Sequence, residues 1–400
     1  MKGIIILVGV LLVLGLMYLL SSHKKEVKFS IVAKAIVVQF VIALLLVKFP
    51  LGRTAVLKVS DVVTKILSYG FSGLSFVFGS LADPSQATGF IFIIGALGNI
   101  IFLSAFVAAL FYLGILGFIV KIIGKVVGKI LGTTQVESFV AVANMFLGQT
   151  ESPILVSKYL GQMTQSEIMV VLVSGMGSMS ATIIGGYTAL GIPMEYLLTA
   201  SALVPFGSIA ISKILLPETE HAKVIENVSM DRKGHHENII SAVTEGAVNG
   251  MQAVIAIAAS LVAFISIVSL LNGILGAFGL SLERIFSYLF SPFGFFMGLE
   301  GDNIFYAGEL LGFKLVLNEF VAFQSLGQRI ASLDYRTGLM LTVAMAGFAN
   351  IASMGICISG ISILCPEKRN VLARLAFKAM IGGFTVSLLS AMIVGFITII

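Results

Sequence analysis

The sequence predicts an all-α polytopic membrane protein with eight transmembrane helices and two re-entrant hairpins arranged as an inverted repeat. Of its 400 residues, 58% are hydrophobic and only 11% are charged, and the mean hydropathy is +1.06. A soluble domain carries about 25% charged residues, so this chain lacks the polar surface that water requires. Apolar runs of roughly 18 residues or more, long enough to cross a bilayer, recur about eight times.

The positions of the basic residues predict how these spans are oriented. The apolar runs lie at about 3–21, 29–49, 90–120, 168–190, 194–216, 246–278, 337–364 and 375–400. Lys and Arg concentrate in the intervening segments 23–25, 121–129, 217–245 and 366–374. Alternation along the chain places all four segments on one side, which the positive-inside rule assigns to the cytoplasm, with both termini outside. The net charge of +5 therefore belongs to cytoplasmic loops, and no nucleic-acid partner is expected.

One segment of the N-terminal part differs from the spans. Between residues 52 and 82, charged and apolar side chains alternate at helical spacing, which predicts an amphipathic helix lying in the membrane interface. We therefore divide the chain into N-terminal scaffold helices with this interfacial helix, a first repeat, a cytoplasmic loop and a second repeat. Their respective bounds are 1–89, 90–216, 217–245 and 246–400.

Two apolar segments, 135–163 and 300–331, do not fit as spans because each must enter and leave on the same side. Each is broken near its middle by glycine and polar residues. Irregular backbone at membrane depth is tolerated only where it is buried in protein or lines a wet cavity. We therefore interpret both as re-entrant hairpins, hairpin 1 (135–163) entering from the inside and hairpin 2 (300–331) from the outside.

The two hairpins and the helices that follow them resemble each other. Leu147 precedes the Gly-Gln-Thr-Glu sequence of hairpin 1, as Leu317 precedes the Asn-Glu sequence of hairpin 2. A leucine-glycine pair follows in both, at 160–161 and 326–327, and each subsequent long helix carries small polar residues near its middle. Similar units that enter from opposite faces form an inverted-topology repeat, in which secondary transporters bind substrate near the midplane.

Glu151 and Glu319, one in each hairpin, are the strongest candidates for substrate recognition. A carboxylate at membrane depth costs about 2.5–3.5 kcal/mol on insertion scales, unless it faces a cavity or a partner. Gln149 and Thr150 stand beside Glu151, and together these side chains offer the donors and acceptors that recognise the edge of a planar polar ligand.

Asn350 and Ser353 are three residues apart, so we expect them on one helix face. With Glu319 they could hold a ligand diol, because an ionised carboxylate accepts hydrogen bonds from two hydroxyls at once. Two structural alternatives stay open. Asn350 and Ser353 could simply join neighbouring helices, and the glutamates could pair with Lys158 or Lys314.

Other polar residues indicate no catalytic chemistry. Glu300, Asp302 and Glu309 lie at the start of hairpin 2, where we interpret them as a solvated outer mouth. The sequence contains no HExxH motif, no aspartate-rich pair and no intramembrane Ser/His pair. An enzyme is therefore not expected.

Three stretches of the chain carry distinctive motifs: GQTESP at 148–153, GFKLVLNEFVAF at 312–323 and GFANIASMGI at 347–356. They resemble the signatures of the concentrative nucleoside transporters, and the resemblance covers nearly the whole chain. It implies a homotrimer in the lipid of a bacterial cytoplasmic (inner) membrane. In each subunit, a scaffold domain would hold a mobile transport domain that carries nucleoside across by an elevator-like movement.

The same resemblance implies roles for individual residues. It implies that the nucleoside base contacts Gln149, Thr150, Glu151 and Ile183. It implies that the ribose is held by Glu319, Asn350 and Ser353, with Phe348 nearby. The coupling ion is expected to be sodium, with a proton as the alternative, and no other cofactor is expected. The implied sodium ligands are Asn144, Leu147, Ser178 and Met179, which supply the neutral oxygens that suit a hard monovalent cation.

Two other functions compete with a nucleoside symporter. An elevator-type carrier for another polar solute, such as a nucleobase, would use the same architecture. A carboxylate substrate would call for an arginine or several lysines at the hairpin tips, which instead carry glutamates. A non-transporting, gate-like membrane protein would have no need for paired polar tips.

Overall fold

The structure, a computed structural model, describes residues 1–220 and 237–400, and those residues form helices and no strands. In chain order, the α-helices are α1 (Lys2–Leu19), α2 (Phe29–Val47), α3 (Pro50–Phe78), α4 (Phe92–Gly95), α5 (Asn99–Tyr112), α6 (Ile115–Leu131), α7 (Gln135–Ala143), α8 (Ser157–Leu160), α9 (Gln165–Gly177), α10 (Ala181–Ala189), α11 (Met194–Leu215), α12 (Ile239–Gly276), α13 (Leu282–Phe296), α14 (Asp302–Gly312), α15 (Glu319–Arg329), α16 (Tyr335–Met345), α17 (Ile351–Leu364) and α18 (Arg369–Ile397).

The helices form a buried inner group and an outer group that exposes apolar side chains. The most buried stretches are 165–189, 194–215 and 366–397. In each of them, 89% of the residues in the most apolar part are buried. The least buried, with 11% to 28%, are 2–19, 29–47, 50–82 and 239–276. Eight helical stretches of the described residues are long and apolar enough to cross a membrane. This confirms the predicted all-α polytopic membrane fold, because so much exposed apolar surface suits lipid and not water.

The predicted spans 168–190 and 337–364 are each broken into two helices, so the prediction of single continuous helices was wrong. The first break lies at 178–180, between α9 and α10, and the second at 346–350, between α16 and α17. Ser180 and Asn350 cap the second half of each pair by accepting a backbone N–H with the side-chain oxygen. Such caps satisfy donors that a helix start leaves open, so an interruption is tolerated inside the protein.

Two other boundaries also differ from the prediction, whereas a third segment agrees with it in being helical. The span predicted at 90–120 is shorter, covering 92–112. Gly114, at φ 74°, separates α5 from α6, and the three lysines of 121–129 lie on α6. The predicted loop 217–245 is shorter, because α12 begins at Ile239, and its residues 221–236 lie outside the described part. Residues 52–82 are helical as predicted, and their length would allow a span, so their interfacial placement stays a prediction.

Both predicted hairpins are helical segments interrupted near the middle. In hairpin 1, α7 ends at Ala143 and a non-helical stretch follows before the 3-10 helix Ser152–Val156 and α8. In hairpin 2, α14 runs into a π-helical turn, Phe313–Leu317, and α15 starts directly after Asn318. The polar tips therefore coincide with breaks in the helical backbone, as the sequence predicted.

A buried polar cluster fixes the base of hairpin 1. Thr134 with Glu137, at the start of α7, and Thr164 with Glu167, at the start of α9, form two capping boxes. The two boxes are joined, because the Thr134 hydroxyl donates to Glu167 Oε1 at 2.8 Å. Lys213 of α11 forms a buried ion pair with Glu137. Hairpin 1 is thereby anchored to α9 and α11.

The two broken helices cross at their breaks. The Phe348 N–H donates to the carbonyl oxygen of Ser178 at 3.0 Å. Gly347 has φ 119°, and a Cβ atom there would lie 2.8 Å from the carbonyl oxygen of Gly177. A Cβ atom on Gly383 of α18 would lie 2.9 Å from the Gly177 nitrogen. Glycine is required at this crossing because the backbones approach too closely for side chains.

Candidate substrate and cation site

Glu319, the first residue of α15, is held by side chains from both broken helices. Asn350 Nδ2 donates to its Oε2 at 3.1 Å, and the Tyr187 hydroxyl donates to its Oε1 at 3.2 Å. Tyr187 is fully buried and Glu319 nearly so. Each carboxylate oxygen keeps a further lone pair, so the group can still accept hydrogen bonds from a ligand.

Asn350 is the N-cap of α17 and not, as its spacing from Ser353 suggested, a residue within that helix. Its Oδ1 accepts the Ser353 N–H at 2.9 Å, and its backbone is extended, with φ −143°. The spacing of three residues therefore reflects an N-cap hydrogen bond and not two side chains on one helix face. The cap orients the amide so that its nitrogen faces Glu319.

Gln149 connects the tip of hairpin 1 to the same helix. Its Nε2 donates to the Ser353 hydroxyl at 3.3 Å, and Cys357 Sγ donates to its Oε1 at 3.3 Å. The first turns of α17 therefore contact both hairpins: Asn350 contacts Glu319, and Ser353 contacts Gln149. Close packing assists this arrangement, because a Cβ atom on Gly360 would lie 2.9 Å from the Thr150 methyl group.

Glu151 turns back toward its own loop and the first helix break. Its Oε2 accepts the Gly148 N–H at 3.0 Å and the Ser180 hydroxyl at 3.5 Å. Ser180 also lies 2.8 Å from the Thr182 hydroxyl. The carboxylate is therefore placed beside a row of hydroxyl groups at the start of α10.

These side chains surround one cavity of about 660 Å³. All eight residues predicted to bind substrate line it: Gln149, Thr150, Glu151, Ile183, Glu319, Phe348, Asn350 and Ser353. Apolar side chains of α5 and α12, including Phe111, Ile257 and Phe264, form another part of the wall. A largely apolar cavity with a few convergent polar groups is typical of small-molecule sites.

Three helices begin at this cavity. Their N-caps, Ser180 of α10, Asn318 of α15 and Asn350 of α17, all line it. A helix N-terminus carries a partial positive charge, which stabilises a nearby carboxylate. The three N-termini therefore help to offset the burial of Glu319 and Glu151.

The residues implied as sodium ligands lie at the first break and the neighbouring part of hairpin 1. Asn144 is fully buried; its Nδ2 donates to Val140 O and Ser174 Oγ, while its Oδ1 has no hydrogen-bond partner among the described residues. Ser178 donates its hydroxyl to Gly175 O, which leaves its oxygen lone pairs available. An unpaired buried amide oxygen is unfavourable, so this donor set fits a monovalent cation.

Lys314 is fully buried but is not the ion-pair partner of Glu319. Ion pairs are formed elsewhere, by Lys2 with Glu300 and by Lys213 with Glu137. Lys314 Nζ instead donates to Ala344 O, Ala346 O and Ser387 Oγ. The structural alternative for Glu319, a pair with this lysine, was therefore wrong.

Other sequence-based interpretations can be compared with the structure as well. Glu300 and Asp302 are exposed, as predicted for an outer mouth, whereas Glu309 is half-buried. Tyr187 and Ser180, which contact the two glutamates, were missed. The signal for Tyr187 was a single tyrosine in an apolar run, because a buried phenol needs a hydrogen-bond partner.

The fold and the cavity together define a polytopic membrane transporter, with broken helices meeting at a polar site. A family model described as Na+ dependent nucleoside transporter C-terminus matches residues 196–395, and the corresponding N-terminus model matches residues 8–81. A model described as nucleoside recognition matches residues 93–194. The chain belongs to the Na+ dependent nucleoside transporter family.

Individual relatives agree with this assignment. The nucleoside permease NupC of Helicobacter pylori is 33% identical over 97% of this chain and 96% of its own length. The putative nucleoside permease NupX of Escherichia coli is 35% identical over 97% of both chains. The structure of CNTnw in an inward-facing, substrate-bound state has a TM-score of 0.94 at 34% identity, covering 100% of this chain and 99% of that one.

Proposed function

We propose that this protein is a sodium-coupled symporter that imports nucleosides across the cytoplasmic membrane of a bacterium. The observation that carries the proposal is the gathering of all eight expected substrate residues around one cavity. Polar groups from both hairpins meet there across the start of α17. A ligand bound between them would contact both hairpins at once, as alternating access requires.

The hairpin 1 side of the cavity suits a nucleoside base. Gln149, Thr150 and Glu151 offer an amide, a hydroxyl and a carboxylate, which can match both donors and acceptors on a heterocycle edge. Ile183, from α10, adds an apolar contact for the ring face. In this structure Gln149 forms hydrogen bonds with Ser353 and Cys357. When the ligand binds, Gln149 would exchange these bonds for bonds to the base.

The hairpin 2 side suits the ribose. Glu319 is held from behind by Tyr187 and from the side by Asn350, so its position does not depend on the ligand. A carboxylate with fixed geometry can accept from two neighbouring hydroxyls, and such charge-assisted bonds are about twice as strong as neutral ones. Ser353 can add a hydroxyl contact, and Phe348 a ring.

The first break would hold the coupling sodium ion through Asn144, Leu147, Ser178 and Met179. When bound, the ion would supply positive charge to carbonyl and side-chain oxygens that otherwise have too few donors. The Ala181 N–H donates to Phe146 O at 2.9 Å, which joins the break to the hairpin tip. Ordering of these oxygens would therefore also order Gln149 and Glu151, a few residues away.

The movement would be an elevator-like shift of the inner helices and both hairpins against an outer scaffold, within a homotrimer. The contrast between buried inner helices and apolar, exposed outer helices supports this division. The scaffold would comprise segment 1–89 with parts of the first and second repeats, 90–216 and 246–400. The lipid bilayer and neighbouring subunits would cover the outer helices.

Uptake by proteoliposomes tests the proposal. Vesicles with an inward sodium gradient should accumulate labelled uridine, adenosine or guanosine, whereas a proton gradient without sodium should not drive uptake. Uracil and adenine serve as matched competitors, because they lack the ribose that Glu319 would hold. Strong competition by the free bases would favour a nucleobase carrier, and absence of uptake under either gradient would contradict transport of nucleosides.

A further inference from the structure

The second helix break is occupied by a charged side chain of the protein itself. Lys314 extends from the π-helical turn of hairpin 2, and its side chain is completely buried. Its Nζ lies 2.8 Å from Ala344 O, 3.2 Å from Ala346 O and 2.5 Å from Ser387 Oγ. The two carbonyls belong to the C-terminal end of α16, where the helix breaks.

The surroundings of this amine suit its protonated form. Backbone carbonyl oxygens can only accept, and the Ser387 hydroxyl already donates to Phe384 O at 3.0 Å. Three oxygens that can accept therefore surround Nζ, an arrangement that matches the three N–H donors of the ammonium form. The Phe384 ring centroid, 5.8 Å from Nζ, adds an aromatic face that favours a cation.

The position of this ammonium group corresponds to that of the candidate sodium site. When Leu147 of hairpin 1 is matched with Leu317 of hairpin 2, Asn144 is matched with Lys314, each three residues earlier. Both residues lie in the hairpin next to a half-helix that ends at a break. A cation at such an end is stabilised by the partial negative charge of the helix C-terminus.

We propose that the Lys314 ammonium group is a resident cation that closes the second break, in the position where the first break would take sodium. It acts as a positioning residue: it fixes the end of α16 against α18, and so places Asn350 and Glu319 for the ligand. The correspondence with sodium rests on the proposed function, but the role of the ammonium group rests on its own contacts. Removal of the side chain should leave a site for a small primary alkylammonium ion.

Chemical rescue tests this role. Lys314→Ala removes three methylene groups and the ammonium group, which n-propylammonium matches in length and charge. We expect nucleoside uptake by the variant to fall about tenfold or more, as for loss of charged hydrogen bonds, and its melting temperature in detergent to drop. Propylammonium chloride should raise both, with at least about threefold recovery of uptake and no effect on the unchanged protein.

Three controls separate this role from simple packing. Tetramethylammonium carries the charge but has no N–H donor, and n-propanol has the length but no charge, so neither should rescue. Lys314→Met fills the space without charge; it should be impaired and insensitive to propylammonium. Equal recovery with all three additives, no recovery with propylammonium, or a Lys314→Met variant with normal stability and uptake would overturn the proposal.

The thermal measurement also keeps the two proposals distinguishable. If the unchanged protein carries no nucleoside, the proposed function fails, but propylammonium should still raise the melting temperature of Lys314→Ala. If that rescue is absent while the unchanged protein transports nucleoside, only the resident-cation proposal fails. If Lys314→Ala does not fold, the test rests on the stability and uptake of Lys314→Met, which preserves the side-chain volume.

Discussion

The two helix breaks present the same backbone problem and differ in how their charge is balanced. At each, a half-helix ends inside the protein, a second half-helix starts from a polar N-cap, and a hairpin residue approaches the end. At the first break the hairpin residue is Asn144, whose amide oxygen has no partner among the described residues. At the second it is Lys314, whose Nζ is within hydrogen-bond distance of three oxygens.

The difference shows how two similar helix breaks can behave differently: the second break has a fixed geometry, and the first break changes with what it binds. A break closed by an ammonium group that is covalently part of the chain would keep its geometry throughout the transport cycle. Under the proposed function, the break lined by neutral oxygens would depend on a bound sodium ion, so its order would follow the sodium concentration outside the cell. The protein would thus hold the ribose side ready and make the base side conditional on the ion.

The largest expected effect tests the ribose side of the cavity, next to the second break. Glu319→Gln keeps the shape of the side chain but removes the charge that would accept ribose hydroxyls. Uptake of uridine should fall at least about 100-fold, near 3 kcal/mol, because charged hydrogen bonds are lost. Glu309→Gln, on the same hairpin but away from the cavity lining, should retain uptake; equal loss in both would indicate general damage to hairpin 2.

The next effect tests the proposed sodium site at the first break. Asn144→Ala should raise the sodium concentration for half-maximal uptake by about tenfold, roughly 1.4 kcal/mol, because one neutral oxygen is lost. Asn99→Ala is the matched control, since Asn99 of α5 also has a buried amide oxygen with no partner among the residues that the structure describes, but lies outside both hairpins. An unchanged sodium response in Asn144→Ala would remove this residue from the ion site.

A smaller effect concerns how rigidly Glu319 is held. Tyr187→Phe removes the hydroxyl that donates to Glu319, so the apparent affinity for nucleoside should weaken roughly three- to tenfold, about 1 kcal/mol. Tyr306→Phe removes another tyrosine hydroxyl, which donates to Ser325 O in hairpin 2, and should not change this affinity. Titration of uptake against nucleoside concentration distinguishes the two variants.

The smallest effect concerns the closure of the second break. Ser387→Ala removes one of the three acceptors of Lys314 and should lower stability by about 1 kcal/mol, seen as a lower melting temperature. Ser359→Ala removes an exposed serine that bonds only within α17 and should leave the melting temperature nearly unchanged. A similar small change in both variants would mean that Lys314 does not need its third partner.

The sequence made the substrate side of the site accessible to prediction because burial makes polar residues conspicuous. Glutamates and amides within apolar runs had to face a cavity or a partner, and the eight expected residues do line one cavity. Lys314 was noticed for the same reason, but its partner was misjudged. Backbone carbonyls are left free to accept from a side chain where a helix breaks, and the apolar run 337–364 did not indicate a break.

Composition and patterning by themselves determined that the chain spans a membrane, that two segments are interrupted and that polar side chains stand at their tips. These properties depend on the free energy of moving each side chain out of water, which is local to the residue. The crossing of the two breaks, the contact of α17 with both hairpins and the closure by Lys314 were decided only by the tertiary structure. They depend on glycine contacts and hydrogen bonds between residues far apart in the chain, such as Gly177 with Gly347 and Lys314 with Ser387.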